Sequence, residues 1–596
     1  MAQSPAQSLA ESPYLVHPAW AARMIEIFRG GTISQFVLHG SVNDYVPIRA
    51  GESTRFVPLS SFLSEVIFDP FDVVIFYDRG KGIRCAKGEG PFQEFIRGFD
   101  RFNQTNYSTA PLTMPKDPKR ALDLLHRFLL YALHMAAAKK DADSPAPFRI
   151  GLVVEHAQFV APQGDAIQLA SDLGESLIRL LDWAQDPAIL GANIATVLVA
   201  ENLRDLNRQL VDSPYNAKIH IELPNEAEAL DYFRALEIEF PPFKEFARIP
   251  VESLAKKAVG LSRVNIRNLV TLAVQNARPI DSEYFARTKR DLIEKECFGL
   301  LEFIETTKTL DMVSGHEEAK AWLREDAELL RRGETSALPM GYLFAGRIGT
   351  GKTFLTTCWA GEIGIPCVVL KNFRDKWQGS TEGNLEKIFT VLRALGQVLV
   401  FIDEADQATG KREGGDGDSG VSGRVYGMLA AEMSDTTNRG KIVWVFATSR
   451  PDLLEVDLKR AGRLDVHIPL FPPQDAKSRN DLFQAMAKKV GLKSADGELP
   501  LLPPDLEIGG NEMEAILVQA RRKFLLHGAK KKQKLWDVVK TELESFRPSA
   551  HTRHLEYMDL VAVKECTDSR FLPEKFRKMT LDEVERRIDM LKPFVG

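Results

Sequence analysis

A glycine-rich segment near the middle of the chain restricts the fold more than any other feature. Residues 346–353 read GRIGTGKT; an apolar run at 341–345 precedes them and a helix-like stretch comes after them. Glycines at these spacings let successive backbone N–H groups converge on phosphate oxygens, where a Cβ would obstruct them. The next helix would add the partial positive charge of its N-terminus. The segment therefore predicts a strand–loop–helix unit that binds phosphate groups.

This loop also predicts the small ligands of the chain. The pattern G-x-x-x-x-G-K-[ST] places Lys352 within reach of the β- and γ-phosphates of a nucleoside triphosphate and the hydroxyl of Thr353 on Mg²⁺. We therefore expect ATP and Mg²⁺ as cofactors. The residues expected to bind the nucleotide are Gly346, Arg347, Ile348, Gly349, Thr350, Gly351, Lys352, Thr353 and Phe354.

A second short apolar run, at 398–402, ends in two carboxylates, Asp403 and Glu404. A run of this length suits a strand buried on both faces of a parallel sheet, and carboxylates at its C-terminal end would emerge at the ligand-binding edge. We expect Asp403 to hold the Mg²⁺ together with Thr353, and Glu404 to orient or activate the attacking water.

Length and composition limit the remaining classes. The 596 residues, 44% of them hydrophobic and 27% charged, suffice for about three to four domains with proper cores. A net charge of −5 gives no general attraction to nucleic acid or to an anionic membrane. Five widely separated cysteines support neither a disulfide framework nor a zinc site and favour a reducing compartment. Because no signal peptide and no apolar run of about 18 residues occurs, we expect a cytoplasmic protein with no membrane span.

The segments around a third apolar run, at 441–447, resemble those of a known family. The string DLKRAGRLD at 457–465 resembles the second region of homology of the AAA ATPases. Residues 313–320 resemble the opening Gly-x-x-x-x-Lys of the same module. The resemblance covers roughly residues 310–475, and its blocks occur in the order that the family has.

The resemblance implies roles for three more side chains. Arg460 and Arg463 correspond to arginine fingers, which act on the ATP of a neighbouring copy; a guanidinium stays protonated and offers a planar fork of donors to γ-phosphate oxygens. The family pattern thus implies a homo-oligomeric ring, commonly a hexamer. Ser449 replaces the asparagine that usually serves as polar sensor. Either its shorter hydroxyl does that work, or Thr448 helps, or hydrolysis is slow.

Trp377 lies between the phosphate loop and Asp403, in the segment DKWQGSTE at 375–382. In AAA unfoldases this position carries an aromatic–x–Gly loop that projects into the central pore. By that resemblance Trp377 would bind an extended polypeptide substrate through its large apolar face. The alternative is a tryptophan that packs beneath its own loop.

Residues 474–596 are expected to form the helical lid of this module and a C-terminal extension. The sequence at 507–516 loosely resembles the lid turn whose backbone approaches the adenine, which would place Gly510 at the nucleotide. Basic residues at 521–523 and 530–534 are more typical of a solvated helix face than of a nucleic-acid patch, because no aromatic residues alternate with them.

The first half of the chain matches the second in three blocks at a nearly constant separation, which indicates an internal duplication. The aligned pairs are 152–158 with 400–406, 199–206 with 446–453, and 218–223 with 465–470. The first copy has no Gly-Lys-Thr, and His156 stands at the position of Glu404, so we expect it not to hydrolyse ATP. Ser213 and Asn216 stand at its finger positions. The alternative is an unrelated α/β domain with generic strand patterns.

Together these features predict an α/β fold: a parallel-sheet phosphate-loop AAA core with a helical lid, present twice, the N-terminal copy degenerate and the C-terminal copy active. The predicted boundaries are a flexible N-terminus at 1–17, a degenerate AAA-like domain at 18–224 with an insertion within about 50–145, its helical lid at 225–282, a connecting helix at 283–309, the active ATPase domain at 310–473, and the second lid with its extension at 474–596.

The expected function is ATP hydrolysis at inter-subunit sites, used to remodel, unfold or disassemble a protein substrate through the Trp377 loop. Two alternatives remain open. One is a nucleic-acid motor or loader, whose binding should weaken strongly with salt. The other is an assembly scaffold in which nucleotide occupancy alone orders the oligomer. The sequence names no substrate and no adaptor.

Overall fold

A computed structural model describes most of the chain. The described residues are 17–50, 53–139, 149–164, 171–297, 299–304, 306–371, 381–406, 419–492, 502, 508–528, 534–547 and 551–595. They belong to two compact units, Met1–Leu292 and Ile293–Gly596.

The first unit contains a six-stranded sheet and a separate hairpin. Its strands are β1 (Gln35–Gly40), β2 (Tyr45–Ala50), β3 (Ser53–Pro58), β4 (Val73–Asp78), β5 (Gly82–Lys87), β6 (Ile150–Val154), β7 (Ile194–Val199) and β8 (Asn216–Ile221). The order across the sheet is β5-β4-β6-β7-β1-β8, with β5 antiparallel to β4 and the other neighbours parallel. β2 and β3 form the hairpin.

Both faces of this sheet are buried. Val37 of β1 packs into one apolar cluster, while its neighbours Phe36 and Leu38 pack into another. Successive side chains of a strand point to opposite faces, so each face has its own core, as expected for a parallel sheet covered on both sides. The helices of this unit are Ala19–Arg29, Leu59–Phe62, Glu89–Asn103, Pro118–Lys139, Ser171–Gln185, Pro187–Leu190, Arg208–Val211, Glu226–Glu239, Pro242–Phe246, Val251–Ala258 and Arg263–Gln275.

The second unit contains another six-stranded sheet. Its strands are β9 (Leu301–Ile304), β10 (Gly341–Ala345), β11 (Cys367–Leu370), β12 (Val398–Ile402), β13 (Ile442–Thr448) and β14 (Val466–Pro469). The order is β14-β10-β13-β12-β11-β9, with β9 antiparallel to β11 and the other neighbours parallel.

The two sheets have the same plan. When one order is reversed, β1, β4, β6, β7 and β8 correspond to β10, β11, β12, β13 and β14, and an antiparallel strand closes the same edge in both. The predicted α/β fold, a parallel sheet present in two modules, is confirmed. The exact domain boundaries stay a prediction.

The predicted connecting helix at 283–309 is only partly helical, and this part of the prediction is wrong. The helix Ser282–Glu296 is followed by β9, which pairs with β11. The backbone N–H of Phe303 also donates to Glu294 Oε1 at 2.9 Å. A sheet edge presents unpaired backbone groups, and β9 covers that edge here. In the first unit β5 covers it as the hairpin partner of β4.

The lid of the second unit ends before the C-terminal extension begins. The three lid helices, Ala476–Lys489, Gly510–Lys523 and Leu535–Ser545, share one apolar cluster. The later helices, Thr552–Lys564 and Leu581–Leu591, belong to a different cluster that includes Phe471, two residues after β14. The extension therefore packs against the α/β domain. The other helices of this unit are Glu317–Arg332, Lys352–Ile363, Thr381–Leu395, Ser419–Met433 and Glu574–Arg577.

Most of the extra length of the first unit lies between β4 and β6. β5 and the helices Glu89–Asn103 and Pro118–Lys139 occupy this interval, where the second unit has the helix Thr381–Leu395 between β11 and β12. Across the described parts of both units, no helix combines the length and the apolar character needed to cross a bilayer.

A buried carboxyl group should make the second unit lose stability as the pH rises from about 4 to about 6. Asp326 accepts a hydrogen bond from the Tyr342 hydroxyl at 2.7 Å, and burial raises its pKa to about 6. The folded state therefore binds this proton more tightly than the unfolded state, and stability falls as the proton leaves. We expect Asp326→Asn, which keeps an acceptor for the hydroxyl, to reduce this pH dependence without loss of stability at neutral pH.

Thermal unfolding as a function of pH checks this expectation. Glu318→Gln, at an exposed position of the same helix, is the matched control and should leave the pH dependence unchanged. A variant Asp326→Asn that is less stable at neutral pH, with the native pH dependence intact, would contradict it.

Candidate nucleotide site

The phosphate loop joins β10 to the helix Lys352–Ile363. Gly346 follows the strand with a φ of +152°, and a Cβ there would lie 2.1 Å from the carbonyl oxygen of Leu470. Gly349 and Gly351 have φ values of +86° and +88°, which residues with a Cβ rarely adopt. The path of the loop therefore requires all three glycines, and the helix begins directly after it.

The Lys352 side chain lies against the loop that precedes it. Its Nζ donates to the carbonyl oxygens of Gly346 at 2.6 Å and Arg347 at 3.1 Å. Burial lowers the pKa of this ammonium to about 8, although the nearby carboxylates of Asp403 and Asp406 act in the opposite direction. A buried cation is stabilised by an anionic ligand, which favours its charged form. This lysine is thus suited to bind phosphate oxygens.

Two oxygen donors for a metal ion meet close to this lysine. Thr353 Oγ1 donates to Asp403 Oδ2 at 2.7 Å, and Asp403 Oδ1 accepts from the N–H of Glu404 at 3.0 Å. A hydroxyl and a carboxylate are ligands that Mg²⁺ prefers, with water and substrate phosphates at its other positions. The residues present therefore fit Mg²⁺.

Glu404 has a left-handed backbone conformation, with a φ of +48°. This conformation costs a residue other than glycine about 1–2 kcal/mol. It occurs again in the first unit, where His156 has a φ of +52° at the corresponding position after β6. Because the turn occurs in both units, it is a property of the shared fold, and in the second unit it leaves the Glu404 side chain exposed.

Three neighbouring parallel strands bring these groups to one edge. β10, β13 and β12 lie side by side, so Gly346, Ser449 and Asp403 follow their carboxyl ends. The N–H of Gly346 donates to the carbonyl of Thr448 at 3.2 Å, which ties the loop to the middle strand. The predicted loop, sensor and acidic residues are thus assembled at the same edge.

The structure also distinguishes the two hydroxyls at the end of β13. The Thr448 hydroxyl is buried; it donates to the Asp406 carboxylate and accepts from the N–H of Arg450 at 2.9 Å. The Thr448 hydroxyl is therefore already hydrogen-bonded to residues of its own unit. Ser449, which is partly exposed, remains the candidate for the sensor.

The two predicted arginine fingers differ in their surroundings. The Arg460 side chain is 71% exposed and pairs with Asp457 at 3.2 Å. The Arg463 side chain is 21% exposed. Its Nε donates to Ser434 Oγ and its Nη1 to the carbonyl of Asp457, both at 2.7 Å. Arg460 is thus accessible from outside the copy that carries it, whereas Arg463 holds its own segment in place.

The lid reaches the phosphate loop at Gly510. The N–H of Gly510 donates to the carbonyl of Gly349 at 3.2 Å, at the beginning of the lid helix. Ile348 is largely exposed, and the Phe354 ring lies 5.2 Å from the Lys308 ammonium. Thr350 Oγ1 donates to the carbonyl of Arg347 at 2.9 Å. Trp377, the predicted substrate-binding residue, lies outside the described residues.

Two carboxylates near the site escaped the sequence-based prediction. Asp406 is the last residue of the string DEAD that starts at Asp403. Its place beside the predicted acidic pair could have indicated that it lies near the site. Asp559 lies more than 200 residues from the loop, yet its Oδ2 is 3.8 Å from Arg347 Nη1, with both side chains largely buried. No local pattern indicates that pair, because tertiary packing alone brings the two residues together.

The first unit keeps the frame of this site without its loop. Gly40 ends β1, and a Cβ there would lie 2.5 Å from the carbonyl oxygen of Ile221, as a Cβ at Gly346 would crowd Leu470. The chain then enters the β2–β3 hairpin, where the second unit begins a helix. The edge therefore lacks both a lysine at the loop position and the N-terminus of a long helix.

Carboxylates line this edge of the first unit. Asp44 pairs with Arg263 at 3.4 Å, and their side chains are only 4% and 7% exposed. Asp44 also accepts from the N–H of Val264 at 3.0 Å, so the pair joins the loop to the lid helix that begins at Arg263. A neighbouring cavity of about 320 Å³ is lined by Asp44, Glu155 and Glu201. Asp44 and Glu155 are paired with arginines, Arg263 and Arg84, so these two cations are already neutralised within the unit.

Three family models match the chain. The N-terminal Rossmann-like domain of the AAA+ chaperones matches residues 12–222, and the second helical domain of the same chaperones matches residues 231–298. The model of the ATPase family associated with various cellular activities, AAA, matches residues 342–471.

Curated relatives match over part of the chain. The chain is 32% identical over 228 residues to the ATP-dependent zinc metalloprotease FtsH 1 of Salinibacter ruber, covering 36% of this chain and 33% of that protein. It is 34% identical over 169 residues to the Cell division cycle protein 48 homolog of Archaeoglobus fulgidus, covering 28% and 23%. It is 25% identical over 317 residues to the Peroxisomal ATPase PEX6 of Kluyveromyces lactis, covering 48% and 31%. The chain thus spans about a third or less of the length of these relatives.

Nucleotide affinity should fall at alkaline pH because of Lys352. The free ammonium loses its proton above about pH 8, whereas a bound triphosphate holds the proton on, so binding takes up a proton in this range. We expect the dissociation constant of a fluorescent ATP analogue with Mg²⁺ to rise toward about tenfold per pH unit well above pH 8.

Two lysine-to-arginine variants control this measurement. Lys352→Arg carries a guanidinium that stays protonated, so it should lose the pH dependence even where it weakens binding. Lys371→Arg, at an exposed position, should keep the native dependence. An affinity of the native chain that stays constant between about pH 7.5 and 9.5 would contradict the role of Lys352.

Proposed function

This chain belongs to the AAA ATPase family, and we propose that its second unit hydrolyses ATP at sites shared between copies of the chain. The observation that carries the proposal is the contact between Thr353 and Asp403 close to the buried ammonium of Lys352. A metal-binding pair and a phosphate-binding cation lie together at one sheet edge, and Glu404 comes directly after Asp403. This arrangement has the parts that phosphoryl transfer to water needs.

Each group has a defined task in this reaction. Lys352 and the loop N–H groups stabilise the negative charge of the β- and γ-phosphates. Mg²⁺ held by Thr353 and Asp403 would neutralise charge on the same oxygens. Glu404 accepts a proton from water as the water oxygen bonds to the γ-phosphorus. The bond from that phosphorus to the β–γ bridging oxygen breaks, and ADP and phosphate are released. Ser449 is placed to hydrogen-bond the water or the γ-phosphate.

Arg460 supplies the last positive charge to a neighbouring copy. Its side chain points into solvent and pairs with Asp457 on its own segment, so a ring of copies, as is common in the family, would bring it to the next site. Arg463 is assigned a different task, since its hydrogen bonds to Ser434 and Asp457 hold the segment that presents Arg460.

The first unit is assigned a structural role without hydrolysis. The ion pair of Asp44 with Arg263 takes the place of a nucleotide contact between the loop and the lid. Glu155, which is paired with Arg84, and Glu201 line the neighbouring cavity. In this proposal the first unit keeps its own lid closed whatever nucleotide the second unit holds.

We further propose that the energy of hydrolysis remodels a protein substrate. The support is the match of residues 12–222 and 231–298 to domains of AAA+ chaperones. In this proposal Trp377 contacts an extended segment of the substrate, and the sequence of that segment matters little because the contact is with an apolar face.

Mixing two inactive variants tests whether the site is shared. Glu404→Gln should bind ATP without hydrolysing it, and Arg460→Ala should lose about 10³-fold or more in turnover. The two variants are mixed in equal amounts, either by unfolding and refolding them together or by co-expression. In such a mixture about one interface in four pairs an intact Glu404 with an intact neighbouring Arg460. We expect a corresponding fraction of the native ATPase rate to return.

The matched control for the arginine is Arg522→Ala, at an exposed position of the lid helix, which should keep native turnover. If Arg460→Ala alone hydrolyses ATP at the native rate, or if the mixture stays inactive while both variants assemble, the site is not shared between copies.

Stimulation by a permanently unfolded protein tests the remodelling step. We expect casein to raise the ATPase rate of the native chain and of Trp377→Phe, which keeps an aromatic face, and to have little effect on Trp377→Ala. Single-stranded DNA serves as the competing ligand. Stimulation by DNA and not by casein would replace the remodelling proposal with a nucleic-acid motor.

A further inference from the structure

The helix Thr552–Lys564, here called the brace helix, lies on the α/β domain of the second unit. It is 13 residues long, or about 20 Å. Leu560, Val561 and Val563 are buried in the apolar cluster that includes Phe471. The N–H of His467 in β14 donates to the Thr567 hydroxyl at 2.9 Å just beyond the helix. The C-terminal half of the helix is thus fixed to the α/β domain.

The brace helix contacts the phosphate loop through a buried ion pair. Asp559 Oδ2 lies 3.8 Å from Arg347 Nη1, and the two side chains are 11% and 10% exposed. The carbonyl of Arg347 accepts hydrogen bonds from Lys352 Nζ and from Thr350 Oγ1. A shift of Arg347 therefore moves an oxygen atom that holds the phosphate-binding lysine.

A second contact reaches the loop that carries the sensor. The Tyr557 hydroxyl donates to Asp452 Oδ2 at 3.1 Å, and the guanidinium of Arg450 lies over the Tyr557 ring at 5.1 Å. Arg450 and Asp452 are themselves paired at 2.9 Å. Arg450 comes directly after Ser449, so this contact fixes the backbone on one side of the sensor.

A third contact reaches the segment that carries the fingers. Glu565, the residue directly after the brace helix, accepts a hydrogen bond from Lys459 Nζ. The side chain of Lys459 is largely buried, and its Nζ also donates to the carbonyl of Pro451 at 3.0 Å. Lys459 directly precedes Arg460 in the sequence, so the position of Glu565 restricts where the backbone places Arg460.

We propose that the brace helix couples the two nucleotide sites to which one copy contributes. Asp559 contacts the loop that binds the nucleotide of its own copy, and Glu565 contacts the segment whose Arg460 serves the neighbouring copy. A packed helix moves as a rigid element, so a displacement of the phosphate loop on hydrolysis is passed to the finger. The proposal rests on the shared site proposed above, and it makes Asp559, Tyr557 and Glu565 positioning residues.

The mixed-chain assay separates this coupling from a local supporting role. The Arg460→Ala chain donates only its own site, and the Glu404→Gln chain donates only a finger. If Asp559 merely supports its own loop, Asp559→Asn should matter only in the chain that donates the site. Coupling predicts that Asp559→Asn in the finger-donating chain also lowers the restored ATPase rate, by at least about threefold.

The reciprocal substitution completes the test. Glu565→Gln in the site-donating chain, whose finger is already missing, should raise the KM for ATP or lower kcat by a similar factor of about three. Glu556→Gln, at an exposed position of the brace helix, removes the same charge without these contacts and should change neither rate in either chain.

Folding and assembly are measured on each variant by thermal unfolding and by sedimentation. Should Asp559→Asn fail to fold, Tyr557→Phe replaces it, since this change removes only the hydroxyl that reaches Asp452 and keeps the ring beneath Arg450. The coupling would be overturned if the mixtures assemble but Asp559→Asn acts only in the site-donating chain and Glu565→Gln acts only in the finger-donating chain. If the starting mixture of Arg460→Ala and Glu404→Gln, with the brace helix unchanged, restores no activity, the shared site itself is overturned.

Discussion

The carboxyl edge of the second parallel sheet is the constraint on which the proposed chemistry depends. β10, β13 and β12 run side by side in one direction, so the residues at their carboxyl ends must meet. This edge gathers a buried ammonium, Lys352, and the carboxylates of Asp403 and Asp406, whose attraction opposes the effect of burial on the pKa of the lysine. Close approach of the loop to Leu470 is tolerated because Gly346 has no side chain. The groups suited to bind phosphate are thus brought together at this edge.

The first unit shows which parts of this edge belong to the fold and which to the chemistry. Both units have the same strand order, a glycine close to the last strand, and a left-handed residue after the middle strand, His156 or Glu404. The difference comes directly after β1, where the first unit has a hairpin and the second unit, after β10, has a long helix. Asp44 of the first unit then meets Arg263 of the lid. The shared strand order and turns depend on packing, which both units keep. Phosphate binding depends in addition on one particular loop, which only the second unit has among the described residues.

The C-terminal extension adds a tertiary constraint to the second unit. Its brace helix contacts the phosphate loop, the sensor loop and the finger segment through Asp559, Tyr557 and Glu565. The phosphate loop is distant in the sequence from the other two segments, but all three contact this helix or the residue that follows it. A single packed helix across them restricts how independently they can move. The extension, which comes after the lid in the sequence, is therefore part of the ATPase domain.

The sequence alone determined the phosphate loop, the acidic pair after β12, the α/β class and its presence in two modules, because each depends on a local pattern of glycines, apolar runs and carboxylates. Only the tertiary structure decided that β9 covers the sheet edge within the predicted connecting helix, that Thr448 is engaged with Asp406, and that Asp559 faces Arg347. These features are hydrogen bonds and ion pairs between segments distant in the chain. Strand order and helix packing determine which residues pair, and a local sequence pattern does not show either.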